Sequence, residues 1–266
     1  MQISIRHTIE TTIGEGLPRA VQHLLLTPQS SPVQDVKSWR LEAEGMDDAT
    51  GFIDAYGNRA HLCTLTRPAS RLTIFAHGIV ETADRNGVVG RLERDPVPAL
   101  FRRVTPLTKP QGAVVEGFRA QPRTGNERIA LLHELMARVG EVLDEAPAQS
   151  QVQDGQSQAQ GQARPVVAAD YAHAFVGAAR AFDIPARFVT GYLVPEDDAA
   201  VALHAWAEAW DDGLGWIAFD AMLNLCPTER HVRVACGLDG LSTVAVRSVP
   251  AASAGSAETV EITADG

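Results

Sequence analysis

Alternating hydrophobic and polar positions dominate the first third of the chain. Short runs rich in Ile, Leu, Val and Thr recur about every ten residues, and turn-forming residues separate them. These runs cover residues 3–12, 20–26, 36–44, 51–54, 61–66 and 71–80. Short strands with this spacing are typical of two packed antiparallel sheets. The pattern therefore predicts an N-terminal β-sandwich over residues 1–83.

The middle of the chain changes character twice. Residues 84–125 lose the alternation and are punctuated by prolines, which predicts a connecting segment that packs on both of its neighbours. Apolar residues then recur at helical spacing over residues 128–143 and predict a helix. Glutamine occupies half of the positions in residues 149–162, a composition with little to bury, which predicts a mobile loop.

Helical and strand patterns alternate in the last third of the chain. An apolar stripe predicts a helix over residues 170–182, which Pro185 limits because proline disfavours helical geometry in the residue before it. Strand patterns follow over residues 187–194, 204–210 and 215–220. The last two are joined by a short acidic and glycine-containing turn, and they predict a hairpin.

The register of this hairpin determines which polar side chains meet. If Trp210 pairs with Trp216, Asp220 lies diagonally across from His204 on the same face of the hairpin. A slip by one residue would place the two side chains on opposite faces. We therefore predict the register that brings the His204 imidazole into contact with the Asp220 carboxylate.

Composition and charge exclude several classes of protein. The 266 residues carry a net charge of −10, which disfavours a nucleic acid as partner because phosphate binding requires a basic surface. No apolar run is long enough for a membrane helix, and the N-terminus lacks the apolar segment of a signal peptide. The three cysteines have neither zinc-site nor disulfide-framework spacing. These features predict a reduced, cytoplasmic protein without a metal or nucleotide cofactor.

Several motifs, taken together, resemble the bacterial transglutaminase-like family, whose members are relatives of papain-type cysteine enzymes with an N-terminal β-domain. The resemblance extends from near residue 1 to about residue 247. The motifs that carry it are Asp-Ala-Tyr-Gly-Asn at 54–58, Asp-Tyr-Ala-His-Ala-Phe at 170–175, Ile-Pro-Ala-Arg-Phe-Val-Thr-Gly-Tyr at 184–192, His-Ala-Trp-Ala-Glu at 204–208, Gly-Leu-Gly-Trp-Ile-Ala-Phe-Asp at 213–220, His-Val-Arg-Val-Ala at 231–235, and Gly237.

The resemblance implies an α+β fold. An N-terminal antiparallel β-sandwich would precede a papain-like, transglutaminase-like core, in which a central helix packs on an antiparallel sheet. The core would cover residues 126–247, and residues 248–266 would form a C-terminal tail.

The resemblance also implies a Cys–His–Asp triad in which one member is missing here. The family's histidine falls on His204 and its aspartate on Asp220. Its cysteine, at the start of the core helix and two positions before Asp170, falls on Ala168. An alanine methyl cannot act as a nucleophile. The neighbouring Val166 and Ala169 also depart from the family motif. Several departures together favour natural divergence over a deliberate replacement of the cysteine by alanine.

The remaining candidate residues have structural as well as functional interpretations. Asp170 is expected to cap the helix, and His173 to be a packing histidine. Trp206 and Trp216 are candidates for either the core or the wall of a cleft. Cys226, the cysteine nearest to the hairpin in sequence, could be a relocated nucleophile, although buried free cysteines are often inert.

These observations lead to two main alternative functions, beside a third possibility, a scaffold whose β-domain does the binding. The first is a catalytically inactive transglutaminase-like protein that binds a protein or peptide ligand and acts as a binding or regulatory module. The second is an active cysteine peptidase, amidase or acyltransferase that uses Cys226 with His204 and Asp220. The sequence does not indicate an oligomeric state.

Overall fold

The computed structural model describes residues 1–118, 126–145, 166–196, 203–252 and 257–265. The glutamine-rich residues 149–162 lie outside these ranges. The strands are β1 (Gln2–Thr12), β2 (Arg19–Thr27), β3 (Gln34–Glu42), β4 (Thr50–Ile53), β5 (Arg59–Thr66), β6 (Arg71–Thr82), β7 (Val88–Gly90), β8 (Ala186–Leu193), β9 (Leu203–Asp211), β10 (Gly215–Phe219), β11 (His231–Gly237), β12 (Val246–Val249) and β13 (Ala257–Asp265). The α-helices are α1 (Gly112–Val115), α2 (Asn126–Glu145) and α3 (Ala168–Ala181). In the described parts of the chain, no helix has the length and hydrophobicity needed to cross a bilayer.

The N-terminal strands form a β-sandwich, as the alternating pattern predicts. One sheet of the sandwich has the strand order β13-β1-β6-β3, and the other has the order β12-β2-β5-β4. In β1, buried and more exposed residues alternate, so one face of the strand is directed toward the interior. The hydrophobic core between the sheets includes Ile9, Leu24, Cys63, Leu65 and Ile74.

The C-terminal segment is part of this sandwich. Strand β12 pairs with β2, and β13 pairs with β1 over nearly the whole length of both strands. The region described from sequence as a tail, residues 248–266, thus includes β13 and the end of β12, which are edge strands of the two sheets. The sandwich is built from two parts of the chain that are separated by the whole core.

The core contains an antiparallel sheet with the order β11-β8-β9-β10-β7, and α3 packs against it. Small side chains on β9 allow this close approach, because Ala207 and Ala209 lie in the cluster that also contains Phe175 of α3. The opposite face of the sheet carries Trp206 and Trp216. This arrangement confirms the α+β class and the helix-on-sheet core.

The connecting segment is fastened to the core by Arg180 of α3. This buried guanidinium donates hydrogen bonds to the carbonyl oxygens of Phe101, Ala186 and Leu238, and to the hydroxyl of Thr108. Satisfying so many donors offsets the cost of burying the charge. The segment also supplies β7, the edge strand beside β10.

Two side-chain amides join the sandwich to the edge strand β11. Asn58 donates from Nδ2 to the carbonyl of Cys236 and accepts from the Cys236 amide at Oδ1, both at 2.8 Å. Gln34 makes the same pair of bonds with the backbone of Arg233, at 2.9 and 2.7 Å. Because these amides imitate a neighbouring strand, they satisfy backbone groups that an edge strand would otherwise leave unpaired.

Candidate functional site

The β9–β10 hairpin has the predicted register. Trp210 lies opposite Trp216, and Ala218 lies opposite Glu208. His204 near the start of β9 and Asp220 directly after β10 therefore lie on the same face, which confirms the predicted contact. His204 Nε2 is 2.6 Å from Asp220 Oδ2.

A second imidazole completes this cluster. His231, the first residue of β11, places its Nε2 3.2 Å from the same Asp220 Oδ2. All three side chains are buried, and Asp220 is completely inaccessible. No local pattern in the sequence gives His231 a role, although it begins one of the motifs of the resemblance. Only the position of β11 relative to the hairpin brings it to the site.

The Asp220 carboxylate is held ionised by its hydrogen bonds. Burial alone would raise the pKa of Asp220, but the hydrogen bonds and charges of His204 and His231 outweigh it and lower the pKa to about 2. The other carboxylate oxygen, Oδ1, accepts the backbone N–H groups of Met222 and Leu223 at 3.2 Å. Both oxygens are thus satisfied, and the carboxylate is fixed in position.

The three side chains are also close enough to be considered as metal ligands, since their donor atoms lie within 4.8 Å of one another. The hydrogen bonds, however, place a proton on one of these donor atoms. His231 Nδ1 accepts the backbone N–H of Thr228 at 3.2 Å, which places the ring proton on Nε2, where it is donated to Asp220. A protonated nitrogen cannot coordinate a metal. Hydrogen bonding therefore accounts for the cluster.

His204 keeps one ring nitrogen available. Because its Nε2 is directed to Asp220, Nδ1 is the nitrogen that remains for a further partner. Among the described residues, Nδ1 has no hydrogen-bond partner. An oriented imidazole of this kind is suited to accept a proton, or a hydrogen bond from an N–H or O–H group of a ligand, at Nδ1.

Ala168 is the first residue of α3. The helix begins there because Val167 is extended and Asp170 caps it: the Val167 amide donates to Asp170 Oδ2 at 2.9 Å. Ala168 packs against the cluster of Ala172, Phe188 and Ala205, and Ala205 directly follows His204 on β9. The position predicted for the missing nucleophile thus lies at a helix N-terminus, against the strand that carries His204.

The two tryptophans and His173 are mainly structural. Trp216 is completely buried beneath the Arg187 guanidinium, whose Cζ lies 3.9 Å from the ring centroid. Trp206 is also buried and stacks on the His204 ring with centroids 6.2 Å apart, so it forms the floor of the site. His173 accepts the Gly240 amide at Nε2 and stacks on Phe188, as expected of a packing histidine.

Cys226 is paired with a different histidine from the one considered in the sequence analysis. Its Sγ lies 3.6 Å from Nε2 of His133, whose Nδ1 donates to the carbonyl of Ile129. Burial, followed by the negative charge of Asp84, raises the pKa of the Cys226 thiol. Cys63 and Cys236 are free and buried, and burial raises the pKa of both. None of the three thiols is in an environment that favours the thiolate.

A buried ionic network lies farther along the same face of the sheet, and the sequence analysis did not identify it. Glu208 accepts from Arg187 Nε at 2.5 Å and from Arg233 Nε at 2.9 Å, and Arg187 also contacts Asp95 at 2.8 Å. Burial would raise the pKa of Glu208, but the two arginines reverse the shift and lower it. The arginines are far apart in sequence, so only the fold reveals the network.

Comparisons with known proteins match both the core and the N-terminal sandwich to described families. Residues 115–221 match the family described as the transglutaminase-like superfamily, and residues 3–81 match the bacterial transglutaminase-like N-terminal region. An uncharacterized protein of Mycobacterium leprae (strain TN) is 29% identical over 229 residues, which cover 80% of each chain.

Two solved structures are also similar. The crystal structure of a "putative cysteine protease" from Cytophaga hutchinsonii has a TM-score of 0.63 and 18% identity, covering 99% of this chain and 90% of that one. The periplasmic domain of TgpA from Pseudomonas aeruginosa has a TM-score of 0.34 and 19% identity, covering 80% of this chain and 73% of that one. The first of these similarities extends over both the sandwich and the core.

Proposed function

Because the chain belongs to the transglutaminase-like superfamily, with the bacterial N-terminal region ahead of the core, we propose that it is a catalytically inactive member whose cleft binds a protein or peptide ligand. The observation that carries this proposal is Ala168 at the first position of α3. In a cysteine enzyme, this is where backbone N–H groups and the helix dipole stabilise a thiolate. A methyl group can neither form a thiolate nor attack a carbonyl.

The remaining residues of the site, His204 and Asp220, support the binding of a ligand by this inactive protein. His204 remains held by Asp220, and its Nδ1 is available for a ligand. An N–H group of a bound peptide is a suitable partner for this nitrogen, because a neutral imidazole that donates its Nε2 proton to Asp220 can only accept a hydrogen bond at Nδ1. The site therefore retains the orienting parts of a triad without its nucleophile.

An activity assay tests the inactive state. Wild-type protein and His204→Ala are incubated with a glutamine-containing peptide, first with a primary amine and then in water alone, and transamidation and hydrolysis are followed by mass spectrometry. We expect no turnover by the wild type above that of His204→Ala. Turnover that disappears in His204→Ala would overturn the proposal.

Binding of the same peptide is measured separately by fluorescence anisotropy. We expect saturable binding to the wild type that weakens in His204→Ala, because the substitution removes the free imidazole nitrogen. Equal affinity of the two proteins, or no saturable binding by either, would contradict a role for this cleft in binding the peptide.

The alternative function requires Cys226 to act as the nucleophile. The contact between Cys226 Sγ and His133 Nε2, at 3.6 Å, gives the thiol an imidazole partner, but not the His204 that this function requires, and the raised pKa of the thiol also opposes it. Labelling with iodoacetamide distinguishes the two functions. We expect slow labelling of Cys226 near neutral pH that is unchanged in His204→Ala. Rapid labelling that depends on His204 would support the active enzyme instead.

A further inference from the structure

A cavity lies between the sandwich and the core. It has a volume of about 640 Å³, within the range of small-molecule sites. Its walls come from the loop after β2, the turn between β4 and β5, the segment after β7, and β11. Four arginines contribute to its lining: Arg59, Arg91, Arg94 and Arg233.

Arg233 is the buried part of this lining. The residue is only 9% exposed, and its Nε is engaged by Glu208. Its two terminal nitrogens have no hydrogen-bond partner among the described residues, yet neither is sealed off from solvent. A nearly buried guanidinium with unused donors is costly, and its planar pair of nitrogens fits an oxyanion in two-point contact.

The charge of the lining is opposite to that of the whole chain. The buried network is balanced, because Arg187 and Arg233 face the carboxylates of Glu208 and Asp95. The excess positive charge therefore comes from the rim, where three exposed arginines outnumber the carboxylate of Glu93. In a protein with a net charge of −10, this local positive region concentrates anions at the cavity.

We propose that this cavity is an oxyanion-binding site, in which Arg233 contacts a carboxylate or phosphate group of a small-molecule ligand and the rim arginines contribute long-range attraction. The site is separate from the His204–Asp220 pair and does not depend on the function proposed for it. Arg233 and His231 nevertheless lie on the same face of β11, two residues apart.

Isothermal titration of the full chain tests this proposal. The probes are inorganic phosphate and succinate, each titrated at constant ionic strength against sodium chloride. We expect saturable binding of at least one probe. Arg233→Lys keeps the charge but loses the planar pair of donors, so we expect binding to weaken about tenfold or more, the loss associated with one charge-assisted contact.

Two further variants separate the cavity from general charge effects and from misfolding. Arg94→Gln removes an exposed rim charge, and we expect a smaller loss of affinity, about two- to fivefold, with the fold unchanged. Arg103→Gln removes an exposed arginine outside the cavity and is expected to bind as the wild type does.

The results decide both the proposal and the type of ligand. Binding of phosphate alone indicates a phosphorylated ligand, and binding of succinate alone indicates a carboxylate. Saturable binding of neither probe would overturn the proposal, as would equal weakening in Arg94→Gln and Arg103→Gln. If the circular dichroism spectrum of Arg233→Lys shows that this variant is unfolded, the comparison of Arg94→Gln with Arg103→Gln decides whether the cavity binds the probe.

Discussion

Asp220 connects three parts of the core through a single carboxylate. Its Oδ2 receives His204 and His231, and its Oδ1 receives two backbone amides from the turn that follows β10. Removal of the charge therefore disturbs two strands and a turn at once. In this protein the aspartate has a structural effect that is independent of any catalytic role.

The lowered pKa of Asp220 predicts how stability depends on pH. A carboxyl whose pKa falls from 3.8 to about 2 on folding stabilises the folded state by about 2 kcal/mol at neutral pH. This contribution is complete above the unfolded-state pKa and is lost as the pH falls through the folded-state value. We expect Asp220→Asn to lower the free energy of unfolding in urea at pH 7, and the difference from wild type to shrink between pH 4 and pH 2. A difference that stays constant over this range would contradict the prediction.

Ala168 offers a second test at the same scale. In a Cys226→Ala background, Ala168→Cys places a thiol at the N-terminus of α3, where the helix dipole and His204 are expected to lower its pKa. Its alkylation by iodoacetamide at pH 6 should be about tenfold or more faster than that of an ordinary thiol, and His204→Ala should remove the enhancement.

The neighbouring substitution Ala169→Cys is the matched control. It adds the same thiol one position later in the same helix turn, and it should show an ordinary pH profile. If both thiols react alike, or if the reactivity at position 168 is independent of His204, the alignment of Ala168 with the nucleophile position is wrong.

Helix α3 approaches the connecting segment closely at one residue. A Cβ added to Gly177 would lie 2.7 Å from the carbonyl oxygen of Thr108, and Thr108 is also a partner of Arg180. Glycine thus permits contact between the helix and this backbone. The segment is held at two neighbouring points, one by close packing and one by hydrogen bonding.

This close approach predicts opposite effects for two similar substitutions. Gly177→Ala should destabilise the protein by roughly 1–3 kcal/mol, because backbone must shift to make room. An alanine Cβ in Gly140→Ala, toward the C-terminal end of α2, meets only an ordinary contact at 3.6 Å, so this substitution should be neutral or stabilising by up to about 1 kcal/mol, since alanine favours helix. Urea unfolding measures both. Equal effects would show that the approach at Gly177 is not tight.

At the level of elements, local patterns in the sequence predicted α2, α3, the strands β1–β6 and β8–β10 and the hairpin register, but not α1, β7, β11, β12 or β13. The register follows from alternation around a short turn, so Trp210, Trp216 and Asp220 could be placed without long-range information. His231 and Asn58 could not, because their contacts depend on how distant segments pack; Asn58 and Cys236 are 178 residues apart. The pairing of Cys226 with His133 was missed for the same reason.

The sandwich and the core are joined through the backbone of β11. Asn58 binds both polar groups of Cys236, so Asn58→Ala would leave a buried amide and a buried carbonyl without partners. We expect a loss of roughly 2–4 kcal/mol in stability, from the cost of two unsatisfied groups. Hydrogen exchange measured by NMR should show faster exchange of the Cys236 amide, while an amide in the centre of β1 changes less. Unchanged protection of Cys236 would contradict this function of Asn58.

The order in which the chain is made gives the closing strands a further consequence. Strands β1 and β2 emerge from the ribosome before the core, whereas their partners β13 and β12 follow the core in the chain. At usual rates of synthesis, roughly ten to fifty seconds separate the two events. During that interval β1 and β2 each have one edge without its partner strand, and unpaired strand edges are prone to pair with other chains. Nascent chains should therefore depend on chaperones until β12 and β13 have been made, and deletion of β13 should harm the strands made before it.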